Sequence, residues 1–370
     1  KDCQKHKDAI QKNTHAFTRN SLGLLATPLG IMSPDMVTHH FIPDNHNAFE
    51  IRPYGKLYSA KAHVVYPESL IEVQQIIKIA KQEGMSISIL GKRMSQGKQA
   101  ISNKDWNIAI DLSKLNTITV DPVLKVATIG SGASWCELQR EANRYGLAVR
   151  VMQASNIFSI GGSLSANCHG WDFKTGSLRN TILDLTIVDA QGEILKITPQ
   201  DPLFNYVVGG YGGFGVIVEA TLSLTDNVMM QESGVEINPR NYVAYFNRNI
   251  RDNPQIDMHL YRLSLQPKRL FQTGVAVNYH RLSDKPMKVN LIDEPARGTR
   301  LDRIKLHTLR RAPWVRNWAW STEKNRALEK KIATRNEHMR PPINTVFNHS
   351  SIDSEWLQEY FVKMGHITCP

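Results

Sequence analysis

The chain has 370 residues, 41% of them hydrophobic, and a formal net charge of +11. That is enough apolar material for one large core or two smaller ones, and two is the expectation at this size. No apolar run reaches bilayer-spanning length. Cys3, Cys136, Cys168 and Cys369 are widely spaced with no CxxC pair, which argues against a disulfide framework and against a zinc site.

Residues 1–55 are polar, with Pro28, Pro34, Pro43 and Pro53 as breakers, and are expected to drape over the first domain as an extension. PESLIEVQQIIKIAKQEG (67–84) predicts a helix: Ser69 and Glu72 form a capping box, Val73, Ile76, Ile77 and Ala80 share one face, and Gly84 ends it. SISIL (86–90), NIAIDL (107–112) and KVATIG (125–130) read as strands. SWCELQREANRYG (134–146) repeats the capped-helix pattern with Ser134, Glu137 and Gly146. LDLTIVDAQGEILKIT (183–198) reads as a hairpin around Ala190-Gln191-Gly192, and a short helix is expected within 201–208. From residue 228 the pattern changes to strands with long loops: HLYRLSL (259–265), TGVAVNYHRL (273–282), NTVFNHS (344–350) and LQEYFV (357–362).

Three glycine-rich segments stand between these elements. The longest, VMQASNIFSIGGSLSANCHGWDFKTGSLRNTI (151–182), sets Gly161, Gly162, Gly170 and Gly176 among Ser163, Ser165, Asn167, His169 and Ser177. It has no Asp, Glu, Lys or Arg from 152 to 171. Glycine permits close backbone approach and φ > 0, and successive N–H groups in such turns form anion-binding nests. Small hydroxyl and amide side chains add donors without net charge. The pattern suits a cradle for a large phosphorylated cofactor. SISILGKRMSQGKQ (86–99) runs from a strand directly into a second such loop, and YVVGGYGGFGVIVEATLSL (206–224) places five glycines in seven positions. Gly210 to Gly215 matches G-x-G-x-x-G in form. A dinucleotide-binding turn needs a helix after it, whereas VIVEATLSL alternates as a strand, so the Rossmann reading is rejected.

In order, the chain presents GKRMSQGKQ, IGSGASWCELQ, MQASNIFSIGGSLSANCHG, TGSLRN and GGYGGFGVIVEATL. This series resembles the FAD-binding domain of the vanillyl-alcohol oxidase / p-cresol methylhydroxylase superfamily. Within it, the likeness is to the sugar and sugar-lactone oxidase branch that includes the decaprenylphosphoryl-ribose oxidases. It is dense over 57–227 and thinner to RPPI (340–343) and LQEYFV. The resemblance implies an α+β fold: an FAD-binding PCMH-type domain of two small subdomains, with an antiparallel-sheet cap. The expected limits are an extension over 1–55, the FAD-binding domain over 56–227 and a partial cap over 228–370, whose last strand would find its partner beyond Pro370. It also implies an FAD-dependent oxidoreductase that passes a hydride from a carbinol carbon to flavin N5. The substrate would be a sugar-like alcohol or lactone, free or lipid-linked, with oxygen, a quinone or another carrier left open as electron acceptor. The alternative is a flavin-binding protein of the same fold without turnover.

By the same resemblance, cofactor contacts fall on Gly91, Lys92, Arg93, Met94, Ser95, Gln96, Gly97, Lys98 and Gln99. They continue on Gln153, Ser155, Gly161, Gly162, Ser163, Ser165, Asn167, His169 and Gly170, then on Gly176, Ser177, Gly215 and Val216. Backbone N–H groups of the first two loops are expected on the pyrophosphate. Many members of the family attach FAD through a histidine in the context GGRHS; this chain has Met94 there. Bicovalent members add a cysteine where this chain has Ser155. A thioether cannot replace the imidazole nucleophile, so FAD is expected to be non-covalent.

Lys92 and Lys98 stand where glycines are expected. Either Lys98, with Arg93, neutralises the pyrophosphate, or a lysine strained at φ > 0 marks a decaying loop. His169 is either a base for a substrate hydroxyl or a hydrogen-bonded scaffold residue. Tyr279 and His280 are the catalytic candidates of the cap, and strand alternation lets only one of them face the flavin; Arg262 lies on another cap strand. His39 and His40 lack partners at metal-ligand spacing, so no metal is expected.

Charge is unevenly placed. Residues 240–340 hold 22 Lys/Arg against 9 Asp/Glu, a surplus of 13, so the rest of the chain nets −2. RIKLHTLRRAPWVRNWAWSTEKNRALEKK (303–331) interleaves Trp314, Trp318 and Trp320 with Arg310, Arg311 and Arg316. This suits either the headgroup layer of an anionic membrane or a solvated linker whose tryptophans pack on the domain beneath. No nucleic-acid recognition module is present. A chain numbered from Lys1 fits removal of an N-terminal signal or anchor, and the expected location is soluble or peripheral, in a bacterial cytoplasm or periplasm.

Overall fold

The computed structural model describes residues 49–340, apart from 53, 55–57, 103, 105–106, 265, 292–300, 302–303, 305–307 and 310–311. His39, His40, most of the 1–55 extension and the strands expected at 344–350 and 357–362 lie outside the described residues.

Three sheets carry the fold of the described residues. The first has the order β1 (Phe49–Ile51), β2 (Ala60–Val65), β4 (Asn107–Asp111), β3 (Ser86–Leu90), with β2 and β3 both parallel to β4. Helix α1 (Leu70–Gln82) crosses between β2 and β3. The Ser69 hydroxyl caps it by accepting the Glu72 N–H at 3.2 Å. The Glu72 carboxylate takes the N–H of Glu68 at 2.8 Å rather than that of Ser69, so only half of the expected box forms. Val73, Ile76, Ile77 and Ala80 are buried, and Gly84 closes the helix at φ +63. That apolar face packs on Ile108 and Ile110 of β4 and on Val188, Val216 and Val218, which belong to the second sheet. One helix therefore joins two sheets.

The second sheet runs β5 (Ile118–Asp121), β6 (Val126–Gly130), β10 (Val216–Asp226), β8 (Ile182–Val188), β9 (Ile194–Ile197), and β7 (Leu147–Val149) pairs with the far end of β10. Helix α2 (Trp135–Asn143) has a complete capping box between Ser134 and Glu137. Helix α3 (Ile160–Ser165) lies inside the longest glycine-rich segment, and α4 (Phe204–Val207) precedes the last one. The largest core gathers here, with Ile129, Trp135, Leu138, Leu185, Ile187, Phe204 and Leu222 all buried. β8 and β9 form the expected hairpin, and β10 follows the five glycines as a strand, in keeping with rejection of a Rossmann turn.

The third sheet is antiparallel throughout, in the order β12 (Ile256–Leu263), β13 (Gly274–Arg281), β11 (Met229–Ile237), β14 (Lys331–Thr334). β11 and β14 were not foreseen from the sequence. Helix α5 (Tyr242–Asn249) covers one face, where Tyr242 and Tyr245 reach His259 and Asn278. Helix α6 (Pro313–Leu328) covers the other, packed on β11 and β13. The short helix α7 (Arg335–His338) turns back into the second sheet: Asn336 donates to the Leu147 carbonyl at 2.9 Å, and its N–H reaches Asn227 Oδ1 at 2.9 Å. The whole is an α+β fold.

Candidate cofactor site

β3 delivers Gly91–Gln96 to the wall of a cavity of about 280 Å³. Its opposite wall is α3 with the turn before it. The two walls touch at Gly91, where an added Cβ would come within 2.1 Å of Ser159 Oγ. A third segment closes the floor. Gly161 N–H donates to the Ser131 carbonyl and Ile160 N–H to that of Ala133, both at 2.8 Å, and a Cβ on Gly161 would lie 2.6 Å from Ser131 Cβ. The last glycine cluster docks on the end of α3: Tyr211 N–H donates to Ser165 O at 2.9 Å and Gly209 N–H to Leu164 O at 3.2 Å. A Cβ on Gly212 would strike Ile89 of β3 at 2.7 Å. Segments far apart in sequence thus converge around one six-residue helix, and glycine is required because backbone meets backbone or a buried side chain.

Of the residues carried over from the resemblance, Gly91, Lys92, Arg93, Met94, Ser95, Gln96, Gln99, Gly161, Gly162, Ser163 and Ser165 line this cavity. Gln153 is held just behind it, its amide donating to Ser163 Oγ at 2.8 Å. Gly170 packs on the Met152 carbonyl, which a Cβ would approach to 2.2 Å. Ser155 is buried, while His169 is exposed and bridges to Ser177 beside Gly176. Gly97, Lys98, Asn167, Gly215 and Val216 lie off the cavity wall. Ser131, Phe158, Ser159, Cys168, Tyr211 and Gly212 line it and were not among the candidates. The signal for Ser131 was present in IGSGAS, between two glycines.

Three expectations need correction. Gly161 and Gly162 do not form a φ > 0 nest; they are the first turn of α3, and the only glycine of the 151–182 segment at positive φ is Gly176, at +83. The N–H groups of Ile160, Gly161 and Ser163 are already donated to protein carbonyls. The Ser163 hydroxyl is equally committed, accepting from Trp135 Nε1 at 2.9 Å and from Gln153 while donating to Ser159 O. The strained position of the first loop is neither lysine but Arg93, at φ 58. Finally, Lys98 is exposed with its ammonium 4.7 Å from the Tyr58 ring centroid, and the lysine on the cavity wall is Lys92. Arg93 is spoken for as well: its guanidinium meets Asp111 at 2.8 Å. Burial opposes that charge, but the Asp111 carboxylate outweighs it and raises the Arg93 pKa.

Two polar atoms stand out, one on the cavity wall and one just behind it. The Ser131 hydroxyl, on a residue 2% exposed, and Gln153 Oε1 have no hydrogen-bond partner among the described residues. Buried polar atoms are rarely left bare, so both mark places for ligand atoms. Together with Lys92, the close-packed glycines and the apolar side chains of Met94, Phe158 and Ile217, they fit a group that is part anionic and part aromatic.

Beyond the cavity, the Trp171 ring stacks on Tyr279 of β13 with centroids 5.8 Å apart and planes 7° off parallel. Tyr279 therefore faces the segment that begins at His169, and His280 lies on the other face of the sheet, where burial lowers its pKa. Burial, with Glu232 opposite on β11, pushes the Tyr279 hydroxyl far up. His338 meets the Tyr279 ring edge-on at 5.0 Å, and its Nδ1 lies 3.4 Å from Glu232. Burial would raise the Glu232 carboxyl, but His338 prevails and lowers it. Trp171, Glu232 and His338 were missed because no short motif joins residues from two strands, a loop and a helix. Among the described residues, no cluster of three or more His, Cys, Asp or Glu could hold a metal ion.

Fold and cavity together define an FAD-binding domain. Residues 61–198 match the family model of the FAD binding domain. The chain is 28% identical over 158 residues to a decaprenylphosphoryl-beta-D-ribose oxidase of Mycolicibacterium smegmatis, covering 41% of this chain and 34% of that protein. It is 23% identical over 188 residues to an L-gulonolactone oxidase of Mus musculus, covering 50% of this chain and 42% of that one. The matches thus span well under half of these relatives. Among solved structures, a cholesterol oxidase from Brevibacterium sterolicum (a histidine-to-alanine mutant) superposes with a TM-score of 0.62 at 16% identity, covering 85% of this chain and 64% of that one. This last likeness speaks to the fold. The cofactor of the domain is FAD.

Proposed function

We propose that this protein is an FAD-dependent oxidoreductase acting on a CH–OH group of a sugar-like alcohol or lactone, with FAD held non-covalently. The observation that carries the reading is the cavity between Gly91–Gln96 and α3, with its bare Ser131 hydroxyl, inside a matched FAD-binding domain. Met94 lines the cavity where a bonded relative would place its histidine, and a thioether forms no such link. The arabinono-lactone, gulonolactone and decaprenylphosphoryl-ribose oxidases among its relatives support a polyhydroxylated substrate, free or lipid-linked.

Bound FAD supplies the redox chemistry by accepting a hydride from the carbinol carbon. The chain must bind and orient the alcohol, exclude water and take the hydroxyl proton. We assign the role of proton acceptor to His169, which is exposed, bridges to Ser177 and lies two residues before Trp171. Tyr279, with its pKa raised, stays protonated and serves as a hydrogen-bond donor rather than a base. The test is a yellow preparation whose band near 450 nm (about that wavelength for oxidised flavin) bleaches when sugars or lactones are added without oxygen. A colourless chain that ignores added FAD refutes the reading. Yellow protein that no alcohol or lactone bleaches points instead to a flavin-binding protein without turnover.

A further inference from the structure

One face of α6 is anchored and the other is bare. On the anchored side Trp320 and Ala327 are buried, and β11 comes so close at Gly234 that a Cβ there would lie 2.1 Å from the Ala327 carbonyl oxygen. Lys324 pairs with Glu236 at 3.1 Å, and Glu323 pairs with Arg262. The outer side begins with Trp314 and Trp318, four residues apart and so one above the other, 72% and 67% exposed. Asn317, Ser321 and Asn325 continue it, all exposed. Upstream, Leu301 and Ile304 are exposed too. Thr308 Oγ1 donates to Ile304 O at 2.8 Å, and Ala312 N–H donates to Thr308 O at 2.9 Å just before α6 begins. Single exposed apolar side chains are ordinary, but two tryptophans and two aliphatics within residues 301–318 are a patch in need of an occupant.

Charge decides which occupant. Residues 297–316 hold seven Lys/Arg and one acid, Asp302. We propose that the N-terminal half of α6, in this strongly basic part of the sequence, docks this protein on an anionic lipid bilayer. The indole rings would sit at the headgroup level, where an apolar ring with a polar N–H is favoured, and the basic side chains would meet lipid phosphates. No described helix is long and apolar enough to cross a membrane, so the attachment is to the surface, through one amphipathic helix. A second copy of the chain would set one basic patch against another and is the poorer match. The proposal stands apart from the redox reading, since none of these residues lines the FAD cavity.

The test uses the full chain with FAD bound, and vesicles of phosphatidylcholine alone or with about one third phosphatidylglycerol, at about 50 mM salt. The chain should co-sediment with the anionic vesicles only, and its tryptophan emission should shift to the blue and be quenched by brominated lipid. Raising salt to about 500 mM should release it, because screening shortens to a few ångströms. The double variant Trp314→Ala/Trp318→Ala should lose partitioning by about tenfold or more while keeping its melting temperature and its flavin. Equal recovery with both vesicle types, or with neither, overturns the proposal. So does a double variant that binds as well as the parent. A parent dimer that the double variant dissolves would show instead that a second copy covers the tryptophans.

Discussion

The Arg335 guanidinium lies 2.7 Å from the Asp172 carboxylate, with both side chains buried. The same guanidinium donates to the carbonyls of Arg150 at 2.7 Å and Val149 at 3.3 Å. One side chain from α7 therefore holds both the strand that leads to Gln153 and the turn that follows Gly170. A buried pair is not by itself a large gain, but removing one partner leaves a bare charge in low dielectric. Arg335→Gln should cost about 3–5 kcal/mol of unfolding free energy in urea, and Asp172→Asn a comparable amount. The double variant should cost clearly less than the two combined. Additive losses would mean the two groups act independently.

Acid should destabilise the fold through histidines whose pKa burial lowers, two in the third sheet and one, His63, in the first. His259 is buried and accepts or donates at both nitrogens, to Tyr242 at 3.0 Å and Asn278 at 2.8 Å. Burial lowers its pKa below the ordinary 6.5, and the same holds for His280 and His63. A histidine kept neutral in the fold binds its proton less readily than in the unfolded chain. Stability should therefore be flat above pH 6.5 and fall as pH drops below it, until the folded-state values are reached. His259→Phe should flatten part of that slope while lowering stability at pH 8 by about 1–3 kcal/mol, because Asn278 and Tyr242 lose their partner. A melting temperature that rises as pH falls below 6.5 would contradict this.

The FAD should leave the protein without breaking a bond. Acid precipitation of the yellow chain is expected to leave the colour in the supernatant, since Met94 stands on the cavity wall and Ser155 is a buried hydroxyl. Colour in the pellet would show a link that neither residue explains. Met94→His restores an imidazole at that wall, and a fraction of pellet-bound flavin is the expected gain.

Tyr279→Phe should lower turnover by about 10²-fold while leaving FAD binding within about twofold, if the proposed role of the hydroxyl as donor to the substrate holds, since the ring keeps its stacking on Trp171. His280→Gln, on the opposite face, should stay within about threefold of the parent. If the two variants exchange places, the sheet presents its other face to the reaction.

Much of this was legible in the sequence, for local reasons. Both long helices of the first domain announced themselves by Ser-x-x-Glu caps and a 3.6-residue apolar period, and the β8–β9 hairpin by Gly192 at φ +80. The loops around the cavity were legible as glycine clusters. Their conformations were not, because whether Gly161 serves φ > 0 or close packing depends on Ser131, thirty positions away in sequence and adjacent in space. β11 and β14 were missed for a similar reason. Their residues show no clean alternation: Gly234 lies in the middle of β11 against α6, and β14 is four residues long with two of them exposed. Tertiary contact, not propensity, makes them strands.

The most direct test of the account is Ser131→Ala. Its hydroxyl is buried without a partner among the described residues, so the account assigns that partner to FAD. Removing an unsatisfied buried hydroxyl should leave the apoprotein as stable or more stable, by up to about 1 kcal/mol. Removing a ligand contact should weaken FAD binding about five- to tenfold, measured by quenching of flavin fluorescence on titration. The two effects have opposite signs, which a general packing defect cannot produce. A variant that binds FAD as tightly as the parent, or one that loses apoprotein stability and affinity together, would contradict the placement of FAD in this cavity.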